Sequence, residues 1–133
     1  MTQYLLDTNI LSDLMDNLRG NARRRLGEVG YQATCTSIIV AGELRYGAVR
    51  RQSDRLNNRV EAILAQIAVI DFSPDADRHY AHLRYQLERQ GTPIGSNDIL
   101  IAAHALVLDC ILVTANTREF ARIEGLRLEN WLD

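Results

Sequence analysis

Four acidic residues stand out in this sequence because each lies in or beside an apolar segment. Asp7 ends the run LLDTN, Glu43 lies within IIVAGELRYGA, Asp98 stands in the first turn of NDILIAAHALVL, and Glu119 follows LVTAN. A carboxylate that is taken out of water needs a cation, a hydrogen-bond donor or a proton. These four residues are therefore the first candidates for chemistry.

Convergence of the four acids would define that chemistry. Two unit charges about 4 Å apart repel by about 4 kcal/mol at an effective dielectric constant of about 20, and four charges repel several-fold more. A site made of carboxylates, without nearby His or Cys, suits a hard cation such as Mg²⁺ or Mn²⁺ rather than zinc. Such an ion generates a hydroxide nucleophile for phosphodiester hydrolysis. Spacing alone leaves open whether the four acids meet.

Three of the acids also have a simpler explanation. Asp98 suits the positive end of a helix dipole, Glu43 suits an ion pair with a neighbour such as Arg45 or Arg50, and Glu119 suits a solvated surface. Asp7 ends a strand, and we expect no local capping role there that needs its charge. Asp7 is thus the acid that most strongly indicates a functional site.

Composition limits the class of protein. The 133 residues are 47% hydrophobic, and no apolar stretch approaches the ~20 residues that span a membrane. The length fits one domain over residues 1–133, and MTQYLLDTN lacks the features of a secretory signal. We expect a soluble cytoplasmic protein in which Cys35 and Cys110 are reduced core thiols.

The charged residues neither exclude nor indicate a polyanionic partner such as a nucleic acid. The formal net charge is -2, which is not the strongly basic balance of a typical nucleic-acid binder. All 15 basic residues are arginine, whose planar guanidinium group suits phosphate and carboxylate, although genomic codon bias explains this equally well. The absence of lysine argues against a phosphorylated receiver domain, and DTN does not match the D-x-D-x-T motif of haloacid-type phosphatases.

Strands alternate with helices along the chain. The patterns predict strands at 3–6, 33–36, 68–72 and 111–114, and a last one at 126–128. They predict helices at 10–18, at 37–51, behind the N-cap Ser53, from Pro74 as the first helical residue, at 97–108 and at 118–122. This alternation predicts a three-layer α/β/α sandwich with a mostly parallel sheet. Ligands bind outside the carboxyl ends of such strands, where Asp7 and the segment after Thr114 must emerge.

The sequence resembles the PIN-domain ribonucleases, and among them the VapC toxins of bacterial toxin-antitoxin pairs. The likeness runs from end to end and rests on LLDTNIL at 5–11, SIIVAGELRYGA at 37–48, GTPIGSNDILIAAHA at 91–105 and ILVTANTREFARIEGLRLENW at 111–131. It implies a PIN-like fold, an endoribonuclease dependent on Mg²⁺ or Mn²⁺, and a homodimer. It also implies a cognate VapB-type antitoxin that wraps the toxin and often inserts a basic side chain into the acidic site, with operator DNA bound only through the antitoxin and no role at a membrane.

The resemblance also assigns roles to individual residues. The family's acidic quartet falls on Asp7, Glu43, Asp98 and Glu119, and the polar supporting positions fall on Asn9, Thr114 and Asn116. Many PIN domains carry an acid where this chain has Asn116, so the role of Glu119 is open between holding a second metal ion and acting through water. We hypothesise that three of the acids, Asp7, Glu43 and Asp98, hold one Mg²⁺ that activates water against RNA, while Thr114 and Asn116 position water or phosphate.

An acidic site repels RNA, so positively charged side chains outside the site must bind the RNA. The candidates near the mouth of the site are Arg84, Arg89, Arg118 and Arg122, with surface ion pairing as the alternative. The histidines His79, His82 and His104 fall outside the matched positions and are expected on a helix surface or in the core. A tRNA anticodon loop, with the initiator tRNA among the options, is the expected target, and a catalytically silent module that binds RNA or protein is the alternative function.

Overall fold

Five short strands form a parallel sheet at the centre of the structure, a computed structural model that describes residues 3–133. The strands are β1 (Tyr4–Leu6), β2 (Thr34–Ser37), β3 (Ala68–Ile70), β4 (Ile111–Val113) and β5 (Leu128–Glu129). Their order is β3-β2-β1-β4-β5, and each neighbouring pair is parallel. The prediction of a mostly parallel sheet is confirmed, with strand ends displaced by one or two residues.

Seven α-helices connect the strands in the described part of the chain. They are α1 (Thr8–Asp16), α2 (Asn21–Val29), α3 (Ile38–Arg51), α4 (Asp54–Gln66), α5 (Ala76–Arg89), α6 (Ser96–Leu108) and α7 (Thr117–Phe120). A short 3₁₀ turn, Tyr31–Ala33, precedes β2. Between residues 3 and 133, none of these helices combines the length and the apolar character needed to cross a membrane.

Two local predictions were wrong. Helix α2 was missed because only Ala22 and Leu26 are buried in the strongly charged segment NARRRLGEV, which is too few for a clear helical period. Pro74 does not occupy the first helical position, since α5 begins at Ala76 and the preceding Asp75 adopts a positive φ of 75°. The first difference is a missed helix and the second a helix that starts two residues later than predicted, and neither changes the order of the strands.

The strand order determines which face of the sheet each helix covers. Right-handed crossovers from β1 to β2 and from β2 to β3 place α1 to α4 on one face, and crossovers in the opposite direction place α5 to α7 on the other. The packing agrees, because α1, α3 and α4 contact one another while α5 packs against α6. The molecule therefore has the three α/β/α layers expected from the sequence.

The direction of the chain across the sheet reverses between the central neighbours β1 and β4. After β1 the chain moves to β2 on one side, and after β4 it moves to β5 on the other. Such a switch point leaves a crevice outside the carboxyl ends of the strands. Asp7 directly follows β1 and Thr114 directly follows β4, so the topology alone brings these two residues side by side.

The two cysteines lie in the core. Cys35 on β2 and Cys110 before β4 are both buried, and their Sγ atoms are 3.9 Å apart. The contact with Cys110, together with burial, raises the pKa of the Cys35 thiol. The expectation of two core thiols is confirmed, and a raised pKa makes Cys35 a poor nucleophile.

A buried histidine joins α6 to the segments around β2 and β3. The ring of His104 is fully buried, with Nδ1 2.8 Å from Ser37 Oγ and Nε2 3.2 Å from Ser73 Oγ. Its edge packs against Phe72 at a centroid distance of 5.4 Å. Burial lowers the pKa of His104, and a hydrogen bond with the backbone of Asp71 opposes this only in part. His104 is thus a neutral core histidine. This agrees with the core position, one of the two positions that the sequence analysis left open for the histidines.

Replacing His104 with Gln is expected to remove part of the pH dependence of stability. Because the folded pKa lies below the ordinary value of 6.5, the unfolded chain binds a proton more readily, and native stability falls as the pH drops through and below that value. One group contributes at most about 1.4 kcal/mol per pH unit. Urea unfolding from about pH 8 to about pH 5 should therefore show a shallower decline for His104→Gln than for the native chain.

A matched control separates this effect from the general loss of an imidazole. His82 is exposed on α5, so His82→Gln removes a histidine without touching the core. The His82→Gln protein should keep the pH profile of the native chain. Identical profiles for the native chain and His104→Gln would show that His104 does not titrate differently on unfolding.

Candidate active site

Asp7 lies at the centre of the crevice. Its backbone N–H continues the β1–β4 pairing by donating to Val113 O at 2.9 Å, and its side chain is only 4% exposed. Oδ1 accepts from the Thr8 N–H at 2.8 Å and makes Asp7 the N-cap of α1. Oδ2 accepts from the Thr114 hydroxyl at 2.8 Å. The expectation that Asp7 has no capping role was therefore wrong, since one oxygen caps α1 while the other is held by Thr114.

The charge of Asp7 is set by two opposing influences. Burial raises the pKa of Asp7, and the nearby Glu43 carboxylate adds to the rise. Hydrogen bonds from Thr114, Thr8 and Asn9 act in the opposite direction because they stabilise the ionised form. The net effect is a raised pKa, which is the behaviour of a carboxylate that lacks a cation partner of its own.

Asn9, Thr114 and Asn116 form one hydrogen-bonded network around Asp7. Asn9 Oδ1 accepts from the Ala115 N–H at 2.9 Å, and its Nδ2 donates to Thr114 Oγ1 at 3.5 Å. Thr114 Oγ1 also accepts from the Asn116 N–H at 3.0 Å. With both acceptor positions of the Thr114 hydroxyl taken, its single proton is directed to Asp7. The structure thus places all three predicted supporting residues at the site.

The hydroxyl of Thr114 is expected to be needed for both stability and activity. Thr114→Val keeps the shape of this fully buried side chain but leaves Asp7 Oδ2 without its donor, which should cost about 1–3 kcal/mol. It also removes an interaction that lowers the pKa of Asp7, so a larger fraction of this carboxyl is protonated at a given pH. RNA cleavage should therefore fall, and its pH profile should move to higher pH.

The conservative substitution supplies the control for this expectation. Thr114→Ser retains the hydroxyl and loses only a methyl group, so it should recover most of the cleavage rate and the native pH profile. The measurements are urea unfolding and initial cleavage rates at several pH values. If Val and Ser at position 114 gave the same pH profile, the hydroxyl would have no part in setting the charge of Asp7.

Glu43 approaches the crevice from α3. Its Oε1 accepts from the Thr8 hydroxyl at 2.6 Å, and its Oε2 accepts from Asn97 Nδ2 at 3.4 Å. The alternative in which Glu43 pairs with Arg45 or Arg50 is wrong. Arg45 forms a bidentate ion pair with Glu61 at 2.9 Å, and no ion pair joins Glu43 to Arg50 within residues 3–133. Thr8 and Asn97 are site residues that sequence reasoning missed, although each directly follows or precedes a predicted acid.

Asp98 shows that the four acids share one electrostatic environment. It is the third residue of α6 and is half-buried. Burial and then the charges of Asp7, Glu43 and Glu119 raise its pKa from 3.8 to about 6. The first turn of a helix lowers the pKa of an acid, so repulsion and burial outweigh the dipole here. The four acids therefore lie near enough at the carboxyl edge of the sheet for the charges of the other three to act on Asp98.

Glu119 completes the acidic crevice from α7. It is half-buried, and its Oε2 accepts from Asn116 Nδ2 at 3.0 Å. The description of Glu119 as a freely solvated surface acid is therefore wrong. Asn116, at the position where many PIN domains carry an acid, instead holds Glu119 by this hydrogen bond, and the charge of Glu119 acts on Asp98.

The chemistry of this crevice fits a hard divalent cation. The donors are four carboxylates with neutral oxygens nearby, the ligand type that Mg²⁺ and Mn²⁺ prefer. Within residues 3–133, however, no three His, Cys, Asp or Glu side chains are arranged as a preformed metal site. Hydrogen bonds from Thr8, Thr114 and Asn97 hold the carboxylates of Asp7 and Glu43 in their present positions.

The four arginines predicted to contact RNA lie outside the acidic network. Three are engaged by neighbouring groups: Arg84 by Glu88, Arg89 by Tyr85, and Arg122 by the Pro93 carbonyl. Arg118 is exposed beside Glu119 on α7 and has no ion-pair partner in the described part of the chain. Of the four, only Arg118 lies next to a residue of the crevice and free of such a partner, so contact of these arginines with RNA stays a prediction.

Comparisons with known protein families and solved structures identify the family to which this chain belongs. A family model described as "PIN domain" matches residues 4–126. Among solved structures, VapBC2 from Rickettsia felis bound to a promoter DNA fragment superposes with a TM-score of 0.89 at 35% identity, covering 98% of this chain and 99% of that one. VapBC-1 from nontypeable Haemophilus influenzae gives a TM-score of 0.89 at 32% identity, covering 99% and 100%. The chain belongs to the PIN-domain family.

Curated relatives narrow the class. The chain is 39% identical over 132 residues to the tRNA(fMet)-specific endonuclease VapC of Shigella flexneri, covering 98% of this chain and 99% of that protein. It is 38% identical over 130 residues to ribonuclease VapC2 of Rickettsia felis, covering 96% and 97%. Within the PIN-domain family, the chain groups with the VapC ribonucleases.

Proposed function

We propose that this chain is the toxin of a type II toxin-antitoxin pair, a single-domain endoribonuclease over residues 1–133 that requires Mg²⁺ or Mn²⁺. The observation that carries the proposal is the acidic crevice, in which burial and the charges of Asp7, Glu43 and Glu119 raise the pKa of Asp98 to about 6. Perturbed carboxylates of this kind are characteristic of functional sites. A catalytically silent binding module, the alternative, gains nothing from four carboxylates that repel one another.

The residues of the crevice divide the work of hydrolysis. Asp7, Glu43 and Asp98 would hold the ion, and Glu119 would hold a second ion or orient a water molecule. When bound, the ion would supply Lewis acidity to a water molecule and neutralise charge on the phosphate. Thr8, Thr114 and Asn97 fix the carboxylates by hydrogen bonds, and Asn116 orients Glu119. Attack of water on phosphorus forms one P–O bond and breaks the bond to the leaving ribose oxygen.

The proposed substrate is a structured RNA, with tRNA as the first choice. A relative in Shigella flexneri is named for an activity specific to tRNA(fMet), and it matches this chain over nearly its whole length. We therefore favour the anticodon loop of an initiator tRNA, whose cleavage would inhibit translation in the cytoplasm. The unpaired bases of a loop are accessible to a nuclease in a way that the bases of an A-form helix are not.

The proposed partner is a cognate VapB-type antitoxin. The structural neighbours from Rickettsia felis and Salmonella typhimurium are VapBC complexes bound to DNA. We propose that this chain assembles in the same way, as a homodimeric toxin within a larger complex whose DNA contacts are made by the antitoxin. The acidic crevice is a suitable receptor for a basic antitoxin side chain.

Two experiments test the proposal. Purified protein is incubated with total tRNA in Mg²⁺, in Mn²⁺ and in EDTA, and cleavage should require either ion and stop in the chelator. Cleavage that persists in EDTA would contradict a metal-dependent site. Expression of the chain alone should arrest bacterial growth, and co-expression of a small neighbouring reading frame should restore it. Unhindered growth with folded, abundant protein would contradict the toxin role.

A further inference from the structure

A groove of about 560 Å³ runs from the acidic crevice along α1, α3 and α4. Thr8 and Glu43 of the crevice line it, and so do Arg50, Arg51 and Arg55. Glu43 and Arg50 are seven residues apart on α3, which places them on one face of the helix about 10 Å from each other. The groove therefore joins a cluster of carboxylates to a cluster of guanidinium groups.

Three of the four arginines that line the groove are available for a ligand. Arg50, Arg51 and Arg55 are exposed, and none forms an ion pair within residues 3–133, whereas seven other arginines do. Asp16 is the groove's other acid besides Glu43, and it is already bound to Arg59 at 3.1 Å. The positive charge of the cluster thus has no ion-pair partner in the described part of the chain.

The bend between α3 and α4 fixes the position of this cluster. Gln52 adopts a left-handed conformation with φ 52° and ends α3, and Ser53 Oγ then accepts from the Leu56 N–H at 3.1 Å and begins α4. Arg50 and Arg51 occupy the last turn of α3, while Arg55 is the second residue of α4. Two capped helix ends therefore present the three guanidinium groups from a defined backbone.

We propose that Arg50, Arg51 and Arg55 form a phosphate clamp that holds the RNA strand next to the bond cleaved in the acidic crevice. The inference rests on the proposed function. A crevice of carboxylates repels a polyanion, so the binding free energy must come from cations that the same strand reaches. Guanidinium forks bind phosphate oxygens in pairs. Continuity with the crevice favours RNA over a polypeptide, because a phosphodiester is what the crevice is suited to attack.

Binding is tested separately from cleavage by working in an Asp7→Asn background. The triple variant Arg50→Gln, Arg51→Gln, Arg55→Gln is compared with its parent by fluorescence anisotropy of 3′-labelled total tRNA at a series of NaCl concentrations. Loss of three phosphate contacts should raise Kd by about tenfold or more at low salt and reduce the salt slope by about 2, at about 0.7 per contact on a single strand. In the active background KM should rise much more than kcat falls.

A control of equal charge isolates the position of the arginines. Arg24, Arg78 and Arg127 are exposed and already paired with carboxylates, so Gln at these three sites removes the same charge away from the groove. This control should keep the parent's Kd to within about threefold, since non-specific steering is weak at this net charge. Equal weakening in both triple variants would overturn the clamp. Circular dichroism, with the single variants Arg50→Gln and Arg55→Gln, guards against a folding defect.

Further outcomes separate this inference from the proposed function. A native chain that fails to cut RNA, although binding still depends on the groove arginines, would contradict the nuclease and support the clamp. A triple variant that binds and cuts RNA normally but no longer associates with its antitoxin would overturn the clamp and assign the groove to a polypeptide.

Discussion

Asp7→Asn is expected to lower the rate of RNA cleavage by about a thousandfold or more, because it removes the charge at the centre of the site while preserving its shape. The substituted chain should fold. The Asn oxygen can still cap α1 through the Thr8 N–H, and burying a neutral amide costs less than burying a carboxylate. Initial rates with labelled tRNA in Mg²⁺, together with far-UV circular dichroism, measure the loss and exclude unfolding.

Asp109→Asn is the matched control for this loss. Asp109 caps the other end of α6 with φ 54°, a left-handed conformation that Asn adopts readily. It stands just before β4, at the edge of the sheet opposite the crevice, and forms an ion pair with the exposed Arg127. The control should cleave RNA at close to the native rate. Retention of about a tenth of the activity or more by Asp7→Asn would place the chemistry elsewhere.

The sequence was sufficient to predict the sheet and the edge of the sheet at which the acids lie, for a topological reason. Each strand is a short apolar run, and parallel strands joined by helices deliver their carboxyl ends to the same edge. Asp7 and Thr114 end two such runs, so their proximity follows once those strands are neighbours. Asp98 and Glu119 reach the same edge because each lies in the first turn of a helix that starts there.

The contacts that orient the acids could not be predicted in the same way. The Thr8 hydroxyl donates a hydrogen bond to Glu43, which is 35 residues away in the sequence. The Asn97 side chain donates to Glu43 from 54 residues away. Both hydrogen bonds therefore depend on how α1, α3 and α6 pack. Whether an arginine forms an ion pair can be predicted from the sequence only in part. Pairing of Arg84 with Glu88 follows from their spacing on one helix. The absence of an ion pair at Arg55 within residues 3–133 depends on tertiary packing, which the local sequence does not specify.

Asp98→Asn is expected to stabilise the protein in EDTA. The rise of the Asp98 pKa from 3.8 to about 6 means that the ionised form is disfavoured in the folded state. A shift of this size corresponds to at most about 3 kcal/mol, and partial exposure reduces the gain to about 1–2 kcal/mol. Because the folded chain binds this proton more tightly than the unfolded chain, the native protein should lose stability relative to the variant from about pH 4 to about pH 6. Above that range the difference should stay constant.

The same substitution should reverse its effect when a divalent ion is added. Mn²⁺ or Mg²⁺ that binds only the folded state stabilises it in proportion to the logarithm of ion concentration over Kd, and Asp98→Asn removes one ligand of that site. Urea unfolding with EDTA and then with a series of Mn²⁺ concentrations should show a gain for the native chain and for Asp109→Asn, and little for Asp98→Asn. If Asp98→Asn were destabilising in EDTA at neutral pH, Asp98 would not share charge repulsion with Asp7 and Glu43. If Asp98→Asn gained as much stability from Mn²⁺ as the native chain, Asp98 would not hold an ion together with them. A metal-dependent site requires both results, a more stable Asp98→Asn variant in EDTA and a smaller gain of that variant from Mn²⁺. The carboxylate charge that destabilises the folded chain in the chelator is the same charge that binds the ion.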